Sequence, residues 1–204
     1  MTVLADKQVL LGVTGGIAAY KAVELVRLLK KAGAGVDVAM TGAALRFVGK
    51  TTFEVLSENP VITNLWEDSH GSVAHIDVAA RCDAAVIAPA TANFVAKLAH
   101  GLADDALSTT FLAVTAPILI CPAMNTHMYE NIRVQRNLDL LEKDGVHILD
   151  PDTGTLACKT VGPGRLPDPW LIADRIEQML TFKDLAGKKV LVSAGPTLEP
   201  IDPV

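Results

Sequence analysis

The stretch that most constrains this fold is a glycine turn between an apolar run and an amphipathic helix. Gln8-Val9-Leu10-Leu11-Gly12-Val13 reads as a buried strand, and Thr14-Gly15-Gly16 follows at once. From residue 17 to about 31, Ala18, Ala22, Leu25, Val26 and Leu29 recur at the three-to-four spacing of one buried helical stripe. Gly33 stands where a helix C-terminus favours glycine, and 36–41 is a second strand. Strand, helix and strand in that order make the strands parallel, joined by a right-handed crossover. The pattern repeats downstream, with strands expected at 84–89, 117–121 and 146–149 and helices at 94–100, 104–114 and about 128–143. The class is therefore α/β, an open parallel sheet with helices on both faces.

Between these elements, 42–57 suggests short helices, 60–72 a surface connection, and 73–81 either a strand or one or two helical turns. Residues 150–168 turn to Pro, Gly, Asp and Thr. A loop that long inside a compact domain usually serves as a lid or binding loop. Pro169 suits the first turn of a helix reaching about 181, and 189–195 reads as one more strand. The 204 residues suit one domain with room for a fragment of another.

A formal net charge of −5, with no basic run, argues against nucleic acid or a membrane held by a basic surface. No stretch reaches the roughly 20 apolar residues of a membrane helix. The first nine residues, with Asp6 and Lys7, lack the apolar core of a signal peptide. Three scattered cysteines make neither a disulfide framework nor a Cys-x-x-Cys site, so a reducing cytoplasm is the expected setting. No metal-ligand spacing joins the five histidines, and no metal is expected.

Ligands of open α/β sheets bind at the carboxyl ends of the strands, and several small or polar residues fall there. Thr14-Gly15-Gly16 either cradles a phosphate at a helix N-terminus or simply makes a tight turn. Gly12, Gly15 and Gly16 do not have G-x-G-x-x-G spacing. In Pro89-Ala90-Thr91-Ala92-Asn93, Thr91 either caps the next helix or faces a ligand. Residues 119–129 run from a buried strand into soft and polar side chains, which brings the Asn125 amide to the same rim. Thr14, Thr41, Thr91 and Asn125 all end strands on one rim, a set that suits a phosphorylated, planar ligand.

His75 has apolar neighbours in Val73, Ile76 and Val78, so it is a surface or half-buried imidazole, or an acid–base group. Cys121 lies inside an apolar strand and Cys82 follows a helical pattern, as inert thiols do. Cys158 sits beside Lys159 and near Arg165, and cations make a thiol a better proton donor or nucleophile. A lone loop cysteine can equally be incidental.

Four segments bear together on these alternatives. They are 13–21 (Val-Thr-Gly-Gly-Ile-Ala-Ala-Tyr-Lys), 89–93, 122–129 (Pro-Ala-Met-Asn-Thr-His-Met-Tyr) and the flap Ala157-Cys158-(x)3-Gly162-Pro163-Gly164-Arg165. In this order they resemble the homo-oligomeric flavin-containing cysteine decarboxylases, and within that family the phosphopantothenoylcysteine decarboxylases. The family's flap commonly reads Ala-Cys-Gly, whereas here Lys159 stands in the glycine's place.

The resemblance implies a Rossmann-like, flavodoxin-type subunit that holds FMN at a trimer interface, with trimers packed into a dodecamer. Gly15, Gly16, Ile17, Pro89, Ala90, Thr91 and Asn93 would hold the flavin, with Thr41, Ser108 and Thr109 as weaker contacts. The substrate would be 4′-phosphopantothenoylcysteine, decarboxylated to 4′-phosphopantetheine in coenzyme A biosynthesis. Met124, Asn125, Met128, Tyr129, Ala157 and Arg165 would contact it, and His75, Asn125 and Cys158 match the catalytic positions. Oxidation of the cysteine C–S bond to a thioaldehyde would give the carbanion left by CO2 an electron sink, a step for which the cofactor supplies the hard chemistry. His75 would do acid–base work, Asn125 would orient the carboxylate, and Cys158 would donate the proton as the ene-thiol is reduced.

All three residues in one chain favour an enzyme over non-catalytic flavin-binding relatives. Cys158 favours this branch over the peptidyl-cysteine decarboxylases, which release an ene-thiol. Residues 190–204 are similar to the start of the phosphopantothenate–cysteine ligase domain of bifunctional relatives. Residues 1–186 are thus expected to form the decarboxylase domain, and 187–204 a linker and truncated start of a ligase domain without ligase activity.

Overall fold

Apolar runs at β1 (Gln8–Val13), β2 (Gly35–Met40), β4 (Ala84–Ala90) and β5 (Ile118–Pro122) pair side by side through parallel ladders. Two-residue strands, β3 (Val61–Ile62) and β6 (His147–Ile148), complete a six-stranded sheet of order β3-β2-β1-β4-β5-β6. The computed structural model describes residues 2–66, 74–156, 159–192 and Gly195. Without its two-residue edge β3, the sheet has the flavodoxin order; with it, the order is that of the dinucleotide-binding folds. In both descriptions the chain reverses its direction of winding between β1 and β4.

A parallel sheet is covered on both faces, so its strands are apolar at nearly every position. All seven residues of β4 are buried. In β1, Val9, Leu11 and Val13 join one core, with α1 (Ala19–Lys31), α2 (Lys50–Ser57) and α8 (Pro169–Leu180). Leu10 joins the other core, under α3 (Ala74–Arg81), α4 (Ala92–Ala99), α5 (Ala106–Leu112) and α7 (Ile132–Lys143). Gly12 faces this second core because there is no space for more: a Cβ there would meet the Phe111 ring at 2.9 Å. That ring is itself locked edge-to-face on Phe94, centroids 6.1 Å apart.

Two ion pairs fix the ends of elements. Asp37, buried in β2, accepts from Nε and Nη2 of Arg81, the last residue of α3. The hydrogen bond to Asp37 raises the guanidinium pKa. This anchor, with buried Val78 and Ala79, accounts for 74–81 forming a helix rather than a strand. Asp83 accepts from the Gln8 N–H at 2.8 Å and from Lys7 Nζ at 3.0 Å, which sets the start of β1 against β4.

The structure departs from the sequence pattern in three places. The helix expected from about 128 is two helices, α6 (Thr126–Tyr129) and α7, because the Asn131 side chain caps Arg133 N–H and restarts the helix. The expected loop 150–168 contains an antiparallel hairpin, β7 (Asp152–Thr155) and β8 (Val161–Arg165), outside the main sheet. Residues 189–192 form no strand; a lone segment has no neighbour to take its backbone hydrogen bonds.

Gly12→Ala is expected to lower stability by about 1–3 kcal/mol, the usual cost of overpacking, read by equilibrium urea unfolding. Asp83→Asn tests the linkage of charge to stability. The Gln8 N–H, and then Lys7, hold the Asp83 carboxyl below its ordinary pKa, so its contribution is complete above the unfolded value and is lost as pH falls through the folded one. The variant should be less stable than wild type at pH 7, and the gap should close below about pH 4.

Candidate active site

The carboxyl ends of the strands bring four loops to one rim, and short hydrogen bonds hold them to each other. Thr14 Oγ1, at the end of β1, donates to the Pro89 carbonyl at 2.7 Å and accepts from Thr91 N–H at 3.0 Å. Ala123 N–H donates to the Ala90 carbonyl, and Met124 N–H to the Gly164 carbonyl, both at 3.0 Å. On the other side, Gly15 lies so close to Ala43 that a Cβ would sit 2.5 Å from the alanine's own. The result is a continuous chain of contacts from the β2 loop to the hairpin.

These loops enclose a cavity of about 610 Å³, a size usual for cofactor and small-ligand sites. Gly15, Gly16 and Ile17 form one wall, Pro89 and Thr91 a second, Met124, Asn125 and Met128 a third, and Arg165 with Leu156 a fourth. A Cβ on Gly16 would meet only a Thr91 methyl at 4.0 Å, so its bare backbone is open to a ligand. Helix α1 starts beside it with no side-chain cap and no acidic residue in its first turn. Such a start favours an anion. The cavity also holds Lys21 and Arg165 and, among the described residues, no carboxylate. Lys21 Nζ donates to the Leu166 carbonyl at 2.8 Å, and neither cation forms a salt bridge among the described residues. Uncapped helix, open glycine and unneutralised cations fit a phosphorylated ligand with an apolar body, as FMN is.

Asn125 caps α6, and its Oδ1 accepts from His127 N–H at 2.9 Å. With the oxygen so engaged, the NH2 end of the amide has the chemistry for a carboxylate. Thr91 caps α4 and also lines the cavity.

Other candidate positions lie away from the cavity lining. The Thr14 and Thr41 hydroxyls are turned to backbone, Thr41 accepting from Ala44 N–H at 3.2 Å. Ala90 is buried at the end of β4, and Asn93 is exposed on α4. Ser108 is enclosed in the capping box of Asp105, and Thr109 Oγ1 donates to the Asp105 carbonyl at 2.8 Å. Tyr129 OH donates to Asp150; burial, then this carboxylate, push the phenol up to about 12. His75 lies in the first turn of α3 and is not in the lining of its own chain's cavity.

Ala157 and Cys158 lie outside the described residues. Lys159, in the turn between β7 and β8, has φ 66°, the left-handed region that favours glycine. The two described cysteines, Cys82 and Cys121, are buried, and burial raises both thiol pKa values. Sequence reasoning missed Lys21, Tyr20 and Leu156 as lining residues. Tyr20 and Lys21 are legible in retrospect, four and five residues after Gly16 on the first turn of α1.

A phosphate-suited cavity at the switch point of an open parallel sheet defines a nucleotide- or flavin-binding α/β protein. The chain belongs to the Flavoprotein family, whose model matches residues 2–181. It is 49% identical over 205 aligned positions to the coenzyme A biosynthesis bifunctional protein CoaBC of Bacillus subtilis, covering 98% of this chain and 50% of that protein. The chain thus spans about half the length of the curated relatives it matches. Among solved structures it is similar to the FMN-dependent cysteine decarboxylase SpaF, with TM-score 0.75, 32% identity, and coverage of 87% of this chain and 97% of that one. It is also similar to a cysteine-to-serine variant of PPC decarboxylase complexed with pantothenoylaminoethenethiol. There the TM-score is 0.75 and the identity 30%, covering 85% of this chain and 97% of that one.

Gly164 (φ 144°) holds the hairpin to the rim, and a Cβ there would lie 2.1 Å from the Met124 carbonyl oxygen. Gly164→Ala should therefore break the Met124–Gly164 link. Amide exchange at Met124 is expected to rise at least about tenfold, while the amides of β1 and β4, in the globally protected core, keep their wild-type rates.

Proposed function

We propose that this chain binds FMN and decarboxylates 4′-phosphopantothenoylcysteine to 4′-phosphopantetheine and CO2, a step of coenzyme A biosynthesis. The observation that carries this reading is the convergence on one cavity of the Gly15-Gly16 turn, the Met124-Asn125 loop and Arg165. Likeness to CoaBC over nearly the whole chain supports the choice of substrate. When bound, FMN supplies the two-electron oxidation at the cysteine C–S bond and its later reversal.

In this reading, the Asn125 amide donates to the substrate carboxylate and orients it for loss of CO2. Lys21 and Arg165 give the cavity a positive potential toward phosphate and carboxylate, undiminished by any acidic residue in the described lining. The apolar walls from Leu156, Leu166, Met124 and Met128 keep water out, which strengthens those interactions. His75 exchanges the proton of the oxidation and decarboxylation steps, and Cys158 donates the proton that completes the saturated thiol.

Oligomerisation is part of the proposal. Ile17, Tyr20 and Met128 at the cavity mouth are 66%, 61% and 49% exposed, an apolar rim suited to cover by another subunit. A neighbouring subunit could then bring His75 to the site, within trimers that pack into a dodecamer. A cytoplasmic setting and a ligase domain beginning at 187–204 belong to the same reading. No described helix is long and apolar enough to cross a membrane.

The test is incubation of the FMN-loaded protein with 4′-phosphopantothenoylcysteine, following CO2 and product mass. Wild type should release CO2 and give the saturated thiol. A yellow protein that releases none would mean a flavin-binding protein without this activity. Cys158→Ser should still decarboxylate but yield a product two hydrogens lighter. His75→Asn should bind FMN and release no CO2.

A further inference from the structure

We propose that Thr14 is the positioning residue of the cofactor cradle, its buried hydroxyl setting the distance between the glycine turn after β1 and the Pro89–Thr91 loop after β4. The inference rests on the FMN reading for its purpose, but the geometry is that of the protein alone. Thr14 is 1% exposed, and its hydroxyl is saturated in both senses, donating to the Pro89 carbonyl at 2.7 Å and accepting from Thr91 N–H at 3.0 Å.

Among the described residues, the other buried hydroxyls with partners bond locally: Ser57 to Asn59, Ser108 to Asp105, and Thr110 to the Ala106 carbonyl. Thr14 alone among them joins two strand-end loops, 75 and 77 residues away in sequence. Its chain neighbours are Gly15 and Gly16, which line the cavity, and it accepts from the backbone N–H of Thr91, which lines the cavity beside them. The sheet ladder pairs β1 with β4 only as far as Gly12 and Ile87. Beyond that point Thr14 carries the registration into the loops twice over: its own N–H donates to the Pro89 carbonyl at 3.3 Å, a bond every variant keeps, and its hydroxyl adds the shorter bond to that carbonyl and the only one of these to Thr91 N–H. A second consequence concerns α4. Thr91 is its N-cap, so the hydroxyl that fixes Thr91 N–H also fixes where α4 begins.

Thr14→Val keeps the side-chain shape and removes the hydroxyl, and Thr14→Ser keeps the hydroxyl. In the apoprotein, exchange of the Thr91 amide should accelerate at least about tenfold in Thr14→Val and stay near wild type in Thr14→Ser. Titration with FMN, read by flavin fluorescence, should show Kd raised about tenfold or more for Val and within about threefold for Ser, with the melting temperature of each apoprotein recorded alongside. If valine prevents folding, Thr14→Ala repeats the test without pressing a methyl against the Pro89 carbonyl. Unchanged Thr91 exchange, or wild-type FMN affinity in the hydroxyl-free variant, overturns the role of Thr14. So does a serine variant that fails as valine does. Wild type that binds no FMN overturns the cofactor reading instead, and the exchange experiment still decides whether Thr14 sets the loop.

Discussion

Everything in this structure follows from the need to bury a parallel sheet on both faces. Parallel strands cannot be joined by tight turns, so each connection from β1 to β6 crosses a face of the sheet and carries a helix. The two cores that result account for the apolar character of β1 and β4 at nearly every position. They also send every strand-to-helix loop to the carboxyl ends of the strands. At the junction of β1 and β4 the winding changes direction, and adjacent loops turn to opposite faces of the sheet. The cavity is the space this divergence opens, and the fold determines its place before any functional residue is considered.

A crevice alone has no fixed shape, because loops beyond the ends of strands have no ladder to hold them. Here backbone and side-chain hydrogen bonds take over where the sheet stops. Thr14 joins the first two loops, Ala123 and Ala90 join the next pair, and Met124 and Gly164 bring in the hairpin. Close approach of glycine backbone does the rest, with Gly15 against Ala43 and Gly164 against Met124. The lining is held on the side of Gly15 and Gly16 by Thr14 and Ala43, and on the hairpin side by Met124 and Gly164.

The central strands and α1 were legible in the sequence because local patterns encode them: apolar runs of strand length, a helical stripe, a terminal glycine. The glycine turn and the Asn125 loop were legible for the same reason, since each directly follows such a run. What the pattern hid had physical causes. The β7–β8 hairpin lies outside the core, so its residues show no apolar alternation and read as loop. The break between α6 and α7 depends on a single asparagine cap. The Tyr129 hydroxyl seemed available for a ligand until the fold brought Asp150 to it.

The sequence by itself determined the α/β class, the parallel order of its central units and the residue types at the strand ends. The resemblance of its four segments pointed to flavin chemistry. Only the tertiary structure decided which of those residues share a cavity. It turned the Thr14 and Thr41 hydroxyls toward backbone, enclosed Ser108 in a helix cap, and brought Lys21 and Arg165 into one lining with Gly16. It also set His75 apart from its own chain's cavity. The reason is that strand and helix periods are local properties of the chain. The direction of a hydroxyl or an ammonium is settled by whichever distant carbonyl the fold brings within hydrogen-bonding reach.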